Sequence, residues 1–202
     1  MLKLGVLISG SGTNLQAIID AIEQSALSAQ VVLVVSSRAD AYGLTRAEQA
    51  GIPSLALTSA DYVDPLAADE RIAAALKEAQ AEYIVMAGYM RLVREPLLKA
   101  FPNRIINLHP ALLPSFPGEH GIADAFAYGV KLTGVSVHFA NAVYDQGAII
   151  AQAPVVIEED DTLESLEAKI HAVEHVLYPR VLQLLAQGRV VMGDNGKVSI
   201  TS

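Results

Sequence analysis

The feature that most constrains this chain is an alternation in its N-terminal half. Short apolar runs take turns with stretches of helical period. Leu2–Ile8 is an apolar run, the pattern of a strand covered on both faces. After a glycine turn, Asn14–Ser25 places Leu15, Ile18, Ile19, Ala21 and Ile22 at helical spacing. Val31–Val35 reads as a strand, and Gly43–Ala50 as a helix stopped by Gly51 and Pro53. Ser54–Leu57 is a short strand, Pro65–Ala79 a helix, and Tyr83–Met86 a fourth strand. This β-α order predicts a parallel sheet with right-handed crossovers and helices on both faces.

The second half changes character. Arg104–Leu108 reads as a strand that runs into a loop with prolines at 110, 114 and 117. Asp124–Tyr128 belongs to a short helix. Thr133–Phe139 and Ala148–Val156 are strands joined by a loop carrying Asp145 and Gly147, and they suit an antiparallel pair. Thr162–Gln187 is a long helix capped by Asp161 or Thr162 and ended by Gly188; Gly193 and Gly196 fit a terminal hairpin. The predicted class is α/β. It is a Rossmann-like sheet, parallel in its N-terminal half and mixed in its C-terminal half, in a single domain over 1–202.

Composition narrows the function. Of 202 residues, 52% are hydrophobic and 18% charged, ample for a buried core. Lys plus Arg is 14 and Asp plus Glu is 22, a net charge of −8 with no basic run, so the footprint a nucleic-acid duplex requires is missing. The absence of cysteine excludes disulfides, thiolate metal sites and a Cys nucleophile, and fits a reducing compartment. The opening MLKLGVLISGSG is too short an apolar run for a secretory signal or a membrane span. A soluble cytoplasmic protein, monomer or homodimer, with no nucleic-acid or membrane partner, is the expectation.

Two stretches carry chemistry. Gly10-Ser11-Gly12-Thr13-Asn14 lies between the first strand and the first helix, where free N–H groups and a partial positive charge suit a phosphate. Leu15 stands where a dinucleotide fingerprint wants its third glycine, and no Walker lysine follows. The same turn also serves as a plain strand–helix connection, and a non-catalytic nucleotide-binding protein stays open. Asn107 and His109 alternate onto one face at a strand end, the place where open α/β sheets bind ligands. An Asn donor beside a His suits acyl transfer, while a capped strand end with a packed His is the plainer alternative. Asp145 is either a solvated turn acid or a partner that raises the His109 pKa so that the imidazolium exists near neutral pH. His171 and His175 share a helix face around Glu174, but the acid is misplaced for a zinc motif, and no metal is expected. Ser9 is not in a nucleophile elbow and Ser136 lies in strand-like sequence, so no serine triad is read.

Taken together and in order, ISGSGTNLQAII, SSRADAYGLTRAEQAGIP, MAGYMRLV, INLHPALLPSFPG, TGVSVHFANAVYDQGAIIAQ and AVEHVLYPRVLQLL resemble the folate-dependent phosphoribosylglycinamide formyltransferases across nearly the whole chain. The resemblance implies formyl transfer from 10-formyltetrahydrofolate to the amine of glycinamide ribonucleotide without a metal. It implies Asn107, His109 and Asp145 as the catalytic trio, and Gly12, Thr13 and Asn14 as the ribonucleotide-phosphate loop. It places Met90, Arg91, Leu92 and Val93, with Asn107, at the folate pocket, and Glu174 against the substrate amine. It assigns 1–100 to ribonucleotide phosphate and 101–202 to catalysis and folate. The chain departs from the family pattern in lacking an Arg near Pro65 for the folate tail and a basic residue near Ala123. It carries His171 where a Gln can hold the ribose. The trio also resembles that of sugar-nucleotide formyltransferases, methionyl-tRNA formyltransferase and formyltetrahydrofolate hydrolase. The tRNA enzyme should add a basic C-terminal domain and the hydrolase an N-terminal regulatory one. A sugar-nucleotide amine is therefore the alternative acceptor.

Overall fold

The computed structural model describes residues 1–201. Its elements, in chain order, are β1 (Leu2–Ile8), α1 (Thr13–Glu23), β2 (Ala29–Ser36), α2 (Tyr42–Gln49), β3 (Ser54–Ala56), α3 (Pro65–Glu78), β4 (Tyr83–Met86), α4 (Glu95–Ala100) and β5 (Ile105–His109). These are followed by α5 (Gly121–Tyr128), β6 (Leu132–Phe139), β7 (Ile149–Val156), α6 (Leu163–Ala186), β8 (Val190–Met192) and β9 (Val198–Ile200). Most expected elements appear with ends shifted by one or two residues; α5 begins three residues early. Two differences matter. Strand β5 extends to His109, and α4 had no sequence signal, because its six residues are too few to display a helical period.

The seven-stranded sheet runs β3-β2-β1-β4-β5-β6-β7, with β8 and β9 forming a separate antiparallel hairpin. Pairs from β3 through β5 are parallel, while β5–β6 and β6–β7 are antiparallel. The sheet is thus mixed, as expected. Strand order reverses between β1 and β4, so the loops leaving their carboxyl ends part and open a crevice.

Each face of the sheet carries its own core. Along β1, Leu4, Val6 and Ile8 join Leu15 and Ile18 of α1 and Ile170, Leu177 and Val181 of α6. The intervening Leu7 turns to the other face, with Ile72 and Leu76 of α3 and Leu97 of α4. This alternation is the period-2 geometry of a strand between two helix layers. Tyr178, fully buried on α6, directs its hydroxyl to the carbonyls of Met86 (3.1 Å) and Ile106 (2.9 Å), pinning the helix to the ends of β4 and β5. Thr162 caps α6 in a reciprocal pair with Ser165, which settles the cap in favour of Thr162 over Asp161. Among the described residues, no helix is long and apolar enough to cross a membrane.

The turn between β6 and β7 depends on a close backbone approach. A Cβ at Gly147 would stand 1.5 Å from the Phe139 carbonyl oxygen. Because the obstacle is backbone, no side-chain rotation relieves it. Gly147→Ala is therefore expected to destabilise the protein by about 3 kcal/mol or more, read as a lower midpoint in urea unfolding. A midpoint within error of the parent would contradict this packing.

Candidate active site

The end of β5 assembles three of the expected residues. Asn107 and His109 point to one side of the strand, and Asp145 reaches them from the β6–β7 loop. Asp145 Oδ2 lies 3.4 Å from His109 Nδ1, and Asp145 Oδ1 lies 3.4 Å from Asn107 Nδ2. The turn-acid alternative for Asp145 is set aside: its side chain is about 2% exposed, and the Gly118 N–H donates to Oδ2 at 2.8 Å. Asp145 and Phe116 both adopt left-handed backbone (φ 53 and φ 51), which costs a non-glycine residue roughly 1–2 kcal/mol each. Residues around the site hold both in that strained conformation.

His109 is 3% exposed. Its Nε2 lies 2.7 Å from the Phe116 carbonyl, which can only accept, so Nε2 carries a proton. The expectation of an imidazolium near neutral pH is corrected here. Burial lowers the His109 pKa below its ordinary value, and the attraction of Asp145 and the Phe116 carbonyl only partly offsets it. Asp145 behaves oppositely. Burial alone would raise its pKa, but the Gly118 N–H and the neighbouring His109 hold it below the usual carboxylate value. At neutral pH the pair is a carboxylate beside a neutral imidazole whose Nδ1 is free to take a proton.

His138 is a residue that the sequence reading did not single out. It is the direct cross-strand partner of Asn107. Its Nδ1 donates to the Phe139 carbonyl at 2.9 Å, leaving Nε2 to accept from Asn107 Nδ2 at 3.1 Å. This contact fixes which way the Asn107 amide faces. A second support holds the proline-rich loop. Ser136 Oγ donates to the Ala111 carbonyl (2.7 Å) and accepts from Leu113 N (3.0 Å) and Gln152 Nε2 (2.9 Å). Ser136 is thus a buried brace, consistent with its exclusion as a nucleophile. Alternation along β6 was the available signal for both residues, but register with β5 is needed to read it.

Beside this cluster lies a pocket lined by Met86, Arg91, Leu92, Val93, Asn107, His138, Ala140, Val143, Tyr144 and Asp145. Arg91, Leu92 and Val93, three of the four residues that the resemblance groups together, line this one pocket. Met90 is not on this side. It faces a larger groove of about 1320 Å³, open mouth included, lined by Ser9–Asn14, Arg38, Gly88, His120, His171 and Glu174. Arg91 also stacks over the Tyr62 ring at 4.4 Å. Both pockets draw on both halves of the chain.

The glycine turn forms one wall of the groove. Gly12 is the α1 N-cap with φ 70, and no side chain caps the first-turn N–H groups. Those donors and the helix dipole face the groove. Arg46 braces the turn, donating from Nε to the Ser11 carbonyl (2.9 Å) and from Nη1 to Gln16 (3.0 Å). Across the groove, buried Glu174 accepts from Asn14 Nδ2 at 2.9 Å and pairs with His171 Nδ1 at 3.0 Å. That hydrogen bond raises the His171 pKa. His171 and His175 stack at 6.4 Å between ring centroids.

The chain is similar to known proteins over nearly its whole length. Residues 2–182 match the formyl transferase family. The phosphoribosylglycinamide formyltransferase of Haemophilus influenzae is 40% identical over 195 residues, covering 96% of this chain and 92% of that protein. The crystal structure of glycinamide ribonucleotide transformylase 1 from Symbiobacterium toebii superposes with a TM-score of 0.97 at 48% identity, covering 100% of this chain and 95% of that one. The trifunctional purine biosynthetic protein adenosine-3 of Drosophila melanogaster is 43% identical over 94% of this chain, which spans 14% of that longer protein.

Proposed function

This chain belongs to the formyl transferase family, and from that premise we propose that it transfers a formyl group from 10-formyltetrahydrofolate to the amine of glycinamide ribonucleotide in purine biosynthesis. The observation that carries the reading is the Asn107–His109–Asp145 cluster, with its His109 ring and Asp145 carboxylate buried, standing where a pocket meets a groove ending at uncapped helix N–H groups. The bacterial relatives matched over nearly their full length favour this acceptor over a sugar-nucleotide amine.

In this reading Gly12, Thr13 and Asn14 hold the phosphate through backbone N–H groups, and Glu174 holds the amine. The pocket fits a flat ring, with apolar walls from Met86, Leu92, Val93 and Val143 and the edge of Tyr144. Met90 belongs to the ribonucleotide side, while Arg91, Leu92, Val93 and Asn107 face the folate. Folate supplies the formyl group. As the amine attacks, negative charge grows on the formyl oxygen. His109 Nε2–H turns from the Phe116 carbonyl to that oxygen, and Asn107 Nδ2 turns the N–H that faces Asp145 to it as the second donor. The attacking amine gives up a proton that is relayed to His109 Nδ1, where the Asp145 carboxylate stabilises the imidazolium; the proton then passes to N10 of the folate as the C–N10 bond breaks, the formyl carbonyl re-forms on the new C–N bond and tetrahydrofolate leaves. The family's folate-tail arginine is missing near Pro65; Arg91 is the cation at this pocket. The reaction uses neither a nucleic acid nor a membrane and takes place in the cytoplasm.

The test is direct. Incubation with 10-formyltetrahydrofolate and glycinamide ribonucleotide is expected to release tetrahydrofolate and formylated ribonucleotide. Ligand binding without turnover would sink the enzymatic reading. The phosphate loop has its own test. A Cβ at Gly12 would meet Gly43 Cα at 2.7 Å on top of an unfavourable φ of 70. Gly12→Ala is therefore expected to raise KM for the ribonucleotide about 5–30-fold, from a conformational cost of roughly 1–2 kcal/mol. A rise confined to the folate KM would place the phosphate elsewhere.

A further inference from the structure

Three loops leave the carboxyl ends of adjacent strands to form the groove: residues 9–14 after β1, 37–41 after β2 and 87–94 after β4. One hydroxyl joins all three. Ser9 is 4% exposed, and its Oγ accepts from the Met90 N–H at 2.8 Å. The same oxygen lies 2.6 Å from Ser37 Oγ. With Ser9 accepting from Met90 and sharing a hydrogen bond with Ser37 in which either hydroxyl can donate, a chain of hydrogen bonds runs from the folate-side loop through the phosphate loop to the segment carrying Arg38. The Ser37 end and the phosphate loop are each anchored: Ser37 N donates to the Ile8 carbonyl (3.0 Å), and the Gly10 carbonyl accepts from Gly43 N (3.0 Å).

We propose that Ser9 is a positioning residue that couples the two substrate sites, so that ribonucleotide and folate tighten each other's binding. The proposal rests on the formyl-transfer reading. Met90 is the pivot. Its side chain faces the ribonucleotide groove, and the residues that follow it, Arg91–Val93, line the folate pocket. A phosphate ordering the Ser9–Asn14 turn fixes the acceptor of the Met90 N–H. The loop carrying Arg91–Val93 then loses freedom before folate arrives, and folate has less ordering left to do. Coupling of this kind is reciprocal.

The experiment is a titration of tetrahydrofolate, which has no formyl group to transfer, with and without saturating glycinamide ribonucleotide. Wild type is compared with Ser9→Ala, and thermal melting and circular dichroism of the variant check its fold. Wild type is expected to bind tetrahydrofolate about 5-fold or more tightly when the ribonucleotide is present. In folded Ser9→Ala that factor falls towards one, and both KM values rise more than kcat falls. Retention of the full factor in a folded variant overturns the proposal, because direct ligand–ligand contact then carries the coupling. A second measurement needs no variant. Binding of ribonucleotide alone is expected to slow amide hydrogen exchange at Met90 in wild type, and unchanged exchange there overturns the proposal. Turnover measured in the same preparation keeps the two readings apart. An enzyme that turns over without mutual tightening loses the Ser9 coupling and keeps the formyl transfer.

Discussion

Replacing His109 with alanine is expected to lower kcat for formyl transfer by about 10²–10³, the usual loss when one oxyanion donor is removed. The reasoning starts from the tautomer. The Phe116 carbonyl requires a proton on Nε2, which makes that atom a donor ready for an oxygen that becomes negative. Alanine supplies neither that donor nor the Nδ1 site for a second proton. The loss should appear in kcat far more than in KM, because the interaction strengthens only as charge develops. Circular dichroism and melting would confirm a folded variant, since a buried ring is removed along with the donor. A folded His109→Ala protein with near-parental kcat would remove His109 from the chemistry.

Asp145→Asn is expected to cost about 10²–10⁴ in kcat and to shift the pH profile. Asparagine can still accept the Gly118 N–H, so the loop keeps its brace. What disappears is the negative charge 3.4 Å from His109 Nδ1. The sign follows from the balance at His109, where burial lowers the pKa and Asp145 opposes it. Without the carboxylate the pKa falls further. The limb of the rate profile that depends on His109 protonation must therefore move to lower pH. A stationary limb, measured from kcat/KM between mildly acidic and mildly alkaline pH, would reduce Asp145 to a loop brace.

Much of the architecture was legible from local pattern. Apolar runs of strand length alternating with helical spacing predicted the parallel half, because burial on both faces leaves a nearly unbroken apolar strand. Asn107 and His109 were legible for the same reason: a period of two puts them on one side, and a strand end in this kind of sheet is a binding edge. Helix α4 was not legible, being shorter than the two turns a periodic signal needs. The ionisation of His109 was misjudged because a charge partner can be guessed from composition, whereas the depth of burial opposing it depends on how the 110–121 segment folds over the ring.

The sequence by itself determined the alternating βα order, the glycine turn opening α1, the polar pair ending β5 and, through its ordered motifs, the family. Local spacing and backbone preference suffice for these. Only the tertiary structure decided that Asp145 turns inward to meet His109, that His138 pairs across the sheet with Asn107, and that Met90 and Arg91 face different pockets. It alone brought Ser9, Ser37 and Met90 onto one hydroxyl. Those contacts join residues far apart in the chain, and their existence follows from strand order and register, which a linear pattern does not encode.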